Sequence, residues 1–139
     1  GCAIVLAATS ATQPVFDGAW LSAGAHVVSI RSSYGLDIAS GQPRREIDDA
    51  TVARANVIVV DSLEQASSQD SPEVGAAIKA GRAVQLGAVV AGRASGRIGA
   101  DQITLFKCFG MGLYDVAVAE RVYRRAMAEG VGLALPAPG

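Results

Sequence analysis

A parallel α/β sheet is the fold this sequence predicts, and three observations predict it. Short apolar runs alternate with helix-like stretches from one end of the chain to the other. Half of the 139 residues are hydrophobic but only 5% are aromatic. The apolar content is therefore mostly Ala, Val, Leu and Ile, which suits strands buried around a central sheet. The segments between strand-like runs supply the crossovers that parallel strands require, and such crossovers are right-handed.

In chain order, "AIVLAAT" (residues 3–9) is a continuous apolar run closed by Thr and Ser, and it reads as a buried strand. A loop, "SATQPV", and a short turn or helix over residues 16–21 lead to Gly24 and a second β-branched run, "AHVVSI", at 25–30. Residues 31–45 form a polar loop containing two glycines and a proline. Residues 46–55 have a helical pattern with acids early and Arg54 late, matching the helix dipole. "NVIVVD" at 56–61 is the clearest strand, and its wholly apolar interior predicts a central position.

Two helical stretches follow. Ser71-Pro72-Glu73 is a start signal for the second and Gly81 a stop signal. "AVQLGAVVAGRASGR" reads as a strand or loop and then a short helix, and "QITLFK" (102–107) as a fourth strand. Residues 113–130 form the longest helix, with Val116, Ala119, Tyr123 and Ala126 on one apolar face and Gly130 as its cap. A domain over residues 1–130 with a loose tail at 131–139 is the expected organisation.

Lys and Arg number 12 against 13 for Asp and Glu. That balance gives no nucleic-acid footprint, and no apolar run approaches the ~20 residues that cross a bilayer. Two distant cysteines and one histidine provide neither a disulfide framework nor metal-ligand spacing, so no metal is expected. Polar Thr9, Ser10 and Thr12 interrupt the apolar start, so no signal peptide is read and the cytoplasm is the default expectation.

A dinucleotide site of the usual kind needs G-x-G-x-x-G between a first strand and a first helix. Gly110-Met111-Gly112 leads into a helix, but Asp115 stands where the third glycine belongs. An acid there repels a pyrophosphate. These glycines therefore read as a tight turn that allows close packing.

The segments "IVLAATSATQPV", "NVIVVDSLEQA", "VVAGR" and "ADQITLFKCFGMGLYDVAVAERVYRRA" resemble the ornithine cyclodeaminase/mu-crystallin family over nearly the whole chain. That family also includes archaeal-type alanine dehydrogenases and ketimine reductases. The resemblance implies a partial Rossmann-like fold: the second half of a doubly wound sheet, with flanking helices and a long C-terminal helix. It implies NAD or NADP as cofactor. The Gly-rich loop, the ribose-reading residue and the substrate-binding Lys and Arg of the family have no counterpart in these residues.

Carried over residue by residue, the resemblance places Thr9 at a strand end facing the cofactor, where a hydroxyl closing a turn is the equal alternative. Ser29 and Ile30 match the pair running along the nicotinamide side, although for Ile30 a plain core role is as good. Cys108 and Phe109 match a Ser-aliphatic pair that meets the nicotinamide end, with thiol and aromatic ring as departures. Cys108 itself has no activating partner in sight. The family's catalytic Asp lies in the loop after the second strand, near Pro-Gly-Lys. Here that loop begins Arg31-Ser32-Ser33 and is longer. Asp37 is the candidate acid/base and Arg44 the candidate substrate contact, each set against the plainer reading of an exposed loop charge. Lys107 reads as a solvated charge at a strand end.

Half of a doubly wound sheet leaves its first strand as an exposed apolar edge. The expected partners are a second copy, most simply as a homodimer, or a missing N-terminal segment. Two functions are expected. One is part of an NAD(P)-dependent oxidoreductase or cyclodeaminase acting on amino or imino acids, inactive alone. The other is a non-catalytic, oligomeric α/β module that binds a small ligand or a protein.

Overall fold

In the computed structural model, residues 2–30, 40–69, 71–133 and 135 are described. Five strands form one sheet: β1 (Ile4–Ala7), β2 (His26–Ser29), β3 (Val57–Val60), β4 (Ala83–Gln85) and β5 (Thr104–Lys107). Their spatial order is β1-β2-β5-β3-β4, and every neighbouring pair is parallel. The parallel α/β expectation holds. "QITLFK" is the fifth strand and not the fourth, because the ambiguous "AVQ" is a strand of its own. β4 passes straight into α4 (Leu86–Val90), with Gln85 as both last strand residue and helix cap. Strand β3 is interior as expected, flanked by β5 and β4.

Register decides the two faces of the sheet. Val5, Val27, Leu105 and Ile58 align across four strands, and Ala7, Ser29, Lys107 and Val60 align one step further on. This face is buried beneath α1 (Asp49–Arg54), α2 (Leu63–Ser68) and α3 (Gly75–Lys79), which contribute Val52, Ala66 and Ala77 to the core. Local signals start these helices. Asp48 caps α1 by accepting from the Thr51 N–H at 2.7 Å, and Ser62 caps α2 through Gln65 N–H. Ser71 accepts from the N–H groups of Glu73 and Val74, one turn ahead of α3. The helical pattern read from residue 46 begins later than expected, because Glu46 and Ile47 lie in a buried bend ahead of the Asp48 cap.

The opposite face is only partly covered. Ile4 and Leu6 of β1 are 62% and 63% exposed, and β1 is the sheet edge that the sequence led us to expect. Further along this face, Arg97 donates to the carbonyls of Gly24 and Ala25 and to the Thr104 hydroxyl, and His26 Nδ1 lies 2.7 Å from that hydroxyl. Burial lowers the His26 pKa below its ordinary 6.5, and the Arg97 charge lowers it further, against the contact with Thr104. The folded protein thus resists protonation that the unfolded chain accepts. Stability is full above the unfolded value and declines as pH falls through it toward the folded one. The urea midpoint should fall between about pH 7.5 and about pH 5.5, and His26→Asn should flatten that dependence. An unchanged slope in the variant would remove His26 as its source.

The long helix α5 (Gly112–Glu129) ends at Gly130, whose φ of 64° makes the expected left-handed cap. It has no buried residue. The apolar face read from Val116, Ala119, Tyr123 and Ala126 exists, but no described residue buries it.

Candidate functional site at the carboxyl edge of the sheet

Ligands of open α/β sheets bind beyond the carboxyl ends of the strands. At that edge, β1, β2 and β5 end in a buried polar cluster. The Ser29 hydroxyl, wholly inaccessible, donates to Glu46 Oε2 at 2.7 Å and accepts from Lys107 Nζ at 2.9 Å. Glu46 Oε1 accepts from the Thr9 N–H at 2.5 Å and from the Thr9 hydroxyl at 3.1 Å. Lys107 Nζ also forms an ion pair with Glu73 Oε2. Glu73 Oε1 accepts from the N–H groups of Glu46 and Ile47 at 2.6 and 3.1 Å. Glu46, Glu73 and Lys107 are all at most 4% exposed.

Lys107 is therefore not the solvated charge its place at a strand end suggests. Its register with Leu105 turns it inward, and a buried ammonium is tolerated only when paired and hydrogen-bonded. The sequence held a usable signal. Ser29 and Lys107 stand two residues beyond Val27 and Leu105, so the period-2 pattern points both into the core.

A second polar centre lies at the end of β3. Asp61, 4% exposed, accepts at Oδ2 from the N–H groups of Phe109 and Gly110, at 2.8 and 2.9 Å, and from the Cys108 thiol at 3.3 Å. Its Oδ1 accepts from Ser62 N–H. Gln65 Nε2 donates to the Gly110 carbonyl at 3.0 Å. This carboxylate cradle shapes the turn from β5 into α5, and Gly110 takes the positive φ of 82° that the turn needs. Burial pushes the Cys108 thiol above its ordinary value. The Asp61 contact adds to this, while Gly110 N–H and the Lys107 charge oppose it. The thiol stays protonated at neutral pH, as expected for a non-nucleophilic cysteine.

The structure brings together Thr9 and Ser29, through Glu46, and places Cys108 and Phe109 on Asp61. Phe109 itself is 3% exposed and belongs to the hydrophobic core. Ile30 is 44% exposed at the mouth of the edge, its N–H on the Ala7 carbonyl. Arg44 is half-buried, and its neighbour Arg45 donates to the Ile47 carbonyl and pairs with Asp49. Asp37 lies outside the described residues. Sequence reasoning missed Glu46, Glu73 and Asp61, which reach across the fold to partners between 17 and 49 residues away.

The donors at the ends of β1 and β2 already serve a carboxylate. Thr9 N–H, Thr9 Oγ1 and Ser29 Oγ all turn to Glu46, so this edge does not form a phosphate cradle. What the edge presents instead is a pinned wall: the Cys108–Gly110 turn held by Asp61, Ile30, and the strand ends beneath them. Among the described residues no cluster of His, Cys, Asp and Glu has the arrangement of a metal site. No helix there is long and apolar enough to cross a membrane.

The model of the ornithine cyclodeaminase/mu-crystallin family matches residues 1–130. A probable ornithine cyclodeaminase from Bordetella pertussis Tohama I superimposes with a TM-score of 0.74 at 37% identity, covering 97% of this chain and 41% of that one. The Δ1-pyrroline-2-carboxylate reductase of Thermococcus litoralis, in complex with NADH and L-proline, gives 0.74 at 33% identity, covering 95% and 40%. An archaeal alanine dehydrogenase dimer with bound NAD gives 0.72 at 31% identity, covering 97% and 41%. The chain spans about 39% of the length of the curated relatives it matches.

Proposed function

The chain belongs to the ornithine cyclodeaminase/mu-crystallin family, and from that premise we propose that it supplies the nicotinamide-side wall of an NAD(P)-dependent site acting on amino or imino acids. The observation that carries this reading is the family match over residues 1–130, with two strand ends and the Asp61-held turn converging on one sheet edge. The nicotinamide cofactor would supply hydride exchange with a 2-imino or 2-amino acid, the chemistry that cyclodeaminases run internally to lose ammonia. This chain's residues would orient and enclose. Asp61 fixes the Cys108–Gly110 turn, Glu46 fixes the Thr9 and Ser29 ends, and the Lys107–Glu73 pair locks Glu46 in place. Phosphate binding would fall to a Gly-rich loop on another segment or subunit. Asp37 is the proposed acid/base and Arg44 the proposed substrate contact.

A second reading is favoured by one observation. With Thr9 and Ser29 committed to Glu46 and no Gly-rich phosphate loop among its 139 residues, the chain by itself resembles a self-associating binding module. An NADH titration followed by nicotinamide fluorescence separates the two. The chain alone should show no enhancement at millimolar NADH. Co-expression with the Gly-rich remainder of a family relative should create binding and imino-acid reductase activity. No binding in that complemented form would sink the enzymatic reading. Tight binding by the chain alone would show that the missing phosphate loop is dispensable.

A further inference from the structure

Asp61 holds its turn with a charge that no cation balances. The carboxylate is 4% exposed and accepts from the N–H groups of Ser62, Phe109 and Gly110 and from the Cys108 thiol. A group that only accepts is an ionised carboxylate. All of its donors are neutral. Among the described residues no cation forms an ion pair with Asp61. Lys107, next to the turn in sequence, directs its ammonium to Glu73 and Ser29. One negative charge thus lies uncompensated beneath the Cys108–Gly110 turn.

That charge is felt around the turn. Burial raises the Tyr114 phenol above its ordinary value, and the Asp61 charge raises it further. Tyr114 is 38% exposed and stands in the first turn of α5, its N–H on the Met111 carbonyl. Burial likewise raises the Cys108 thiol; Gly110 N–H and the Lys107 charge oppose it, and the Asp61 contact and charge add to it. Thiol and phenol both ionise to anions, so each registers the negative potential. Buried surroundings screen such a field far less than open water does.

The two forms of a nicotinamide cofactor differ in charge at the ring. The oxidised ring is a cation and the reduced ring is neutral. A negative potential there separates the two forms, whereas packing contacts alone hold both alike. We propose that Asp61 is the residue through which this chain favours the oxidised over the reduced cofactor, its buried charge making the nicotinamide-side wall electronegative. The inference rests on the enzymatic reading above and deepens it by assigning the redox form that the wall prefers.

Two measurements test it. The first needs only this chain. In a Cys2→Ser background Cys108 is the one remaining thiol, and its titration is read from the pH dependence of its reaction with a disulfide reagent. Asp61→Asn should move that titration to lower pH. An unshifted curve would mean that the charge does not reach the surface of the turn, and it would overturn the proposal while leaving the enzymatic reading standing. The second measurement uses the complemented protein described above, titrated with NADH and with NAD+. Wild type should bind NAD+ the more tightly. Asp61→Asn should cut the ratio of the two affinities about tenfold, the order expected of one buried charge. Equal loss of both affinities would make Asp61 a structural residue only and overturn the proposal, as would a wild type that prefers NADH. Asp61→Ser, which offers a hydroxyl oxygen to the same N–H groups, repeats both comparisons if far-UV circular dichroism finds the Asn variant unfolded. A complemented protein that binds neither form would overturn the enzymatic reading and this inference together.

Discussion

Lys107→Met should destabilise the protein by about 3–5 kcal/mol, the cost of leaving a buried carboxylate without its partner ion. The side chains of Lys107 and Glu73 are 1% and 0% exposed, so neither solvent nor salt can replace the lost contact. The variant also removes the donor that holds Ser29 Oγ at 2.9 Å. Far-UV circular dichroism with urea is the measurement. The second substitution shows where the cost lies. Lys107→Met combined with Glu73→Gln removes both charges but keeps a carbonyl oxygen for the N–H groups of Glu46 and Ile47, which Glu73 Oε1 serves at 2.6 and 3.1 Å. The double variant should recover much of the loss, since buried pairs replaced by neutral groups are often near neutral in stability. Glu73→Leu with Lys107→Met should recover less, because it orphans those two donors at about 1–3 kcal/mol each. A Lys107→Met protein within about 1 kcal/mol of wild type would mean that water reaches the pair.

Gly18→Ala should be comparably damaging. A methyl group at Gly18 would lie 2.3 Å from the Thr51 backbone nitrogen and 2.6 Å from both Asp48 Oδ1 and Thr51 Oγ1. Two of those atoms form the first turn of α1, where Asp48 takes the Thr51 N–H and hydroxyl at 2.7 Å each. Gly18 takes part in the same junction through its N–H to Asp48 Oδ2 and its carbonyl to Arg54 Nη1. Overpacking of this kind costs about 1–3 kcal/mol, and displacing the Asp48 cap adds about 1 kcal/mol. The same bonds act on the carboxyl of Asp48. Burial works to raise its pKa, yet the hydrogen bonds from Gly18 and Thr51 hold it below the ordinary value. Its contribution to stability is therefore present above the unfolded value and is lost as pH falls through the folded one. Gly18→Ala should blunt that acid dependence along with lowering the urea midpoint. A variant as stable as wild type would require the single turn at Gly18–Trp20 to move away from α1.

The parts of this fold that depend on local pattern were legible in the sequence. The β3 run, the Ser71 start, the Gly81 stop and the Gly130 cap each follow from a few adjacent residues. Strand β4 was ambiguous because three residues carry too little periodicity to separate strand from loop. The buried cluster was hidden for a different reason. An acid at residue 46 looks like a helix-start charge and a lysine at 107 looks like a solvated strand end. Only the fold brings Glu73 and Lys107 within reach across 34 positions of sequence. Thr9 and Ser29 were correctly placed at strand ends, but their shared acceptor could not be read from their neighbours. The Gly110-Met111-Gly112 turn was recognised as a turn; that Asp61 shapes it was not.

The strand order has a consequence for how the protein is made. β5 comes last of the five in the chain but lies between β2 and β3. Until residues 104–107 leave the ribosome, β1-β2 and β3-β4 are separate two-stranded pieces, and such pairs are marginal on their own. Between the emergence of β4 and that of β5 the nascent chain carries both as unfinished edges, a state open to chaperones and to aggregation. Removing residues 104–107 should therefore leave no smaller folded sheet: the last of these five strands in sequence is the one that joins the other four.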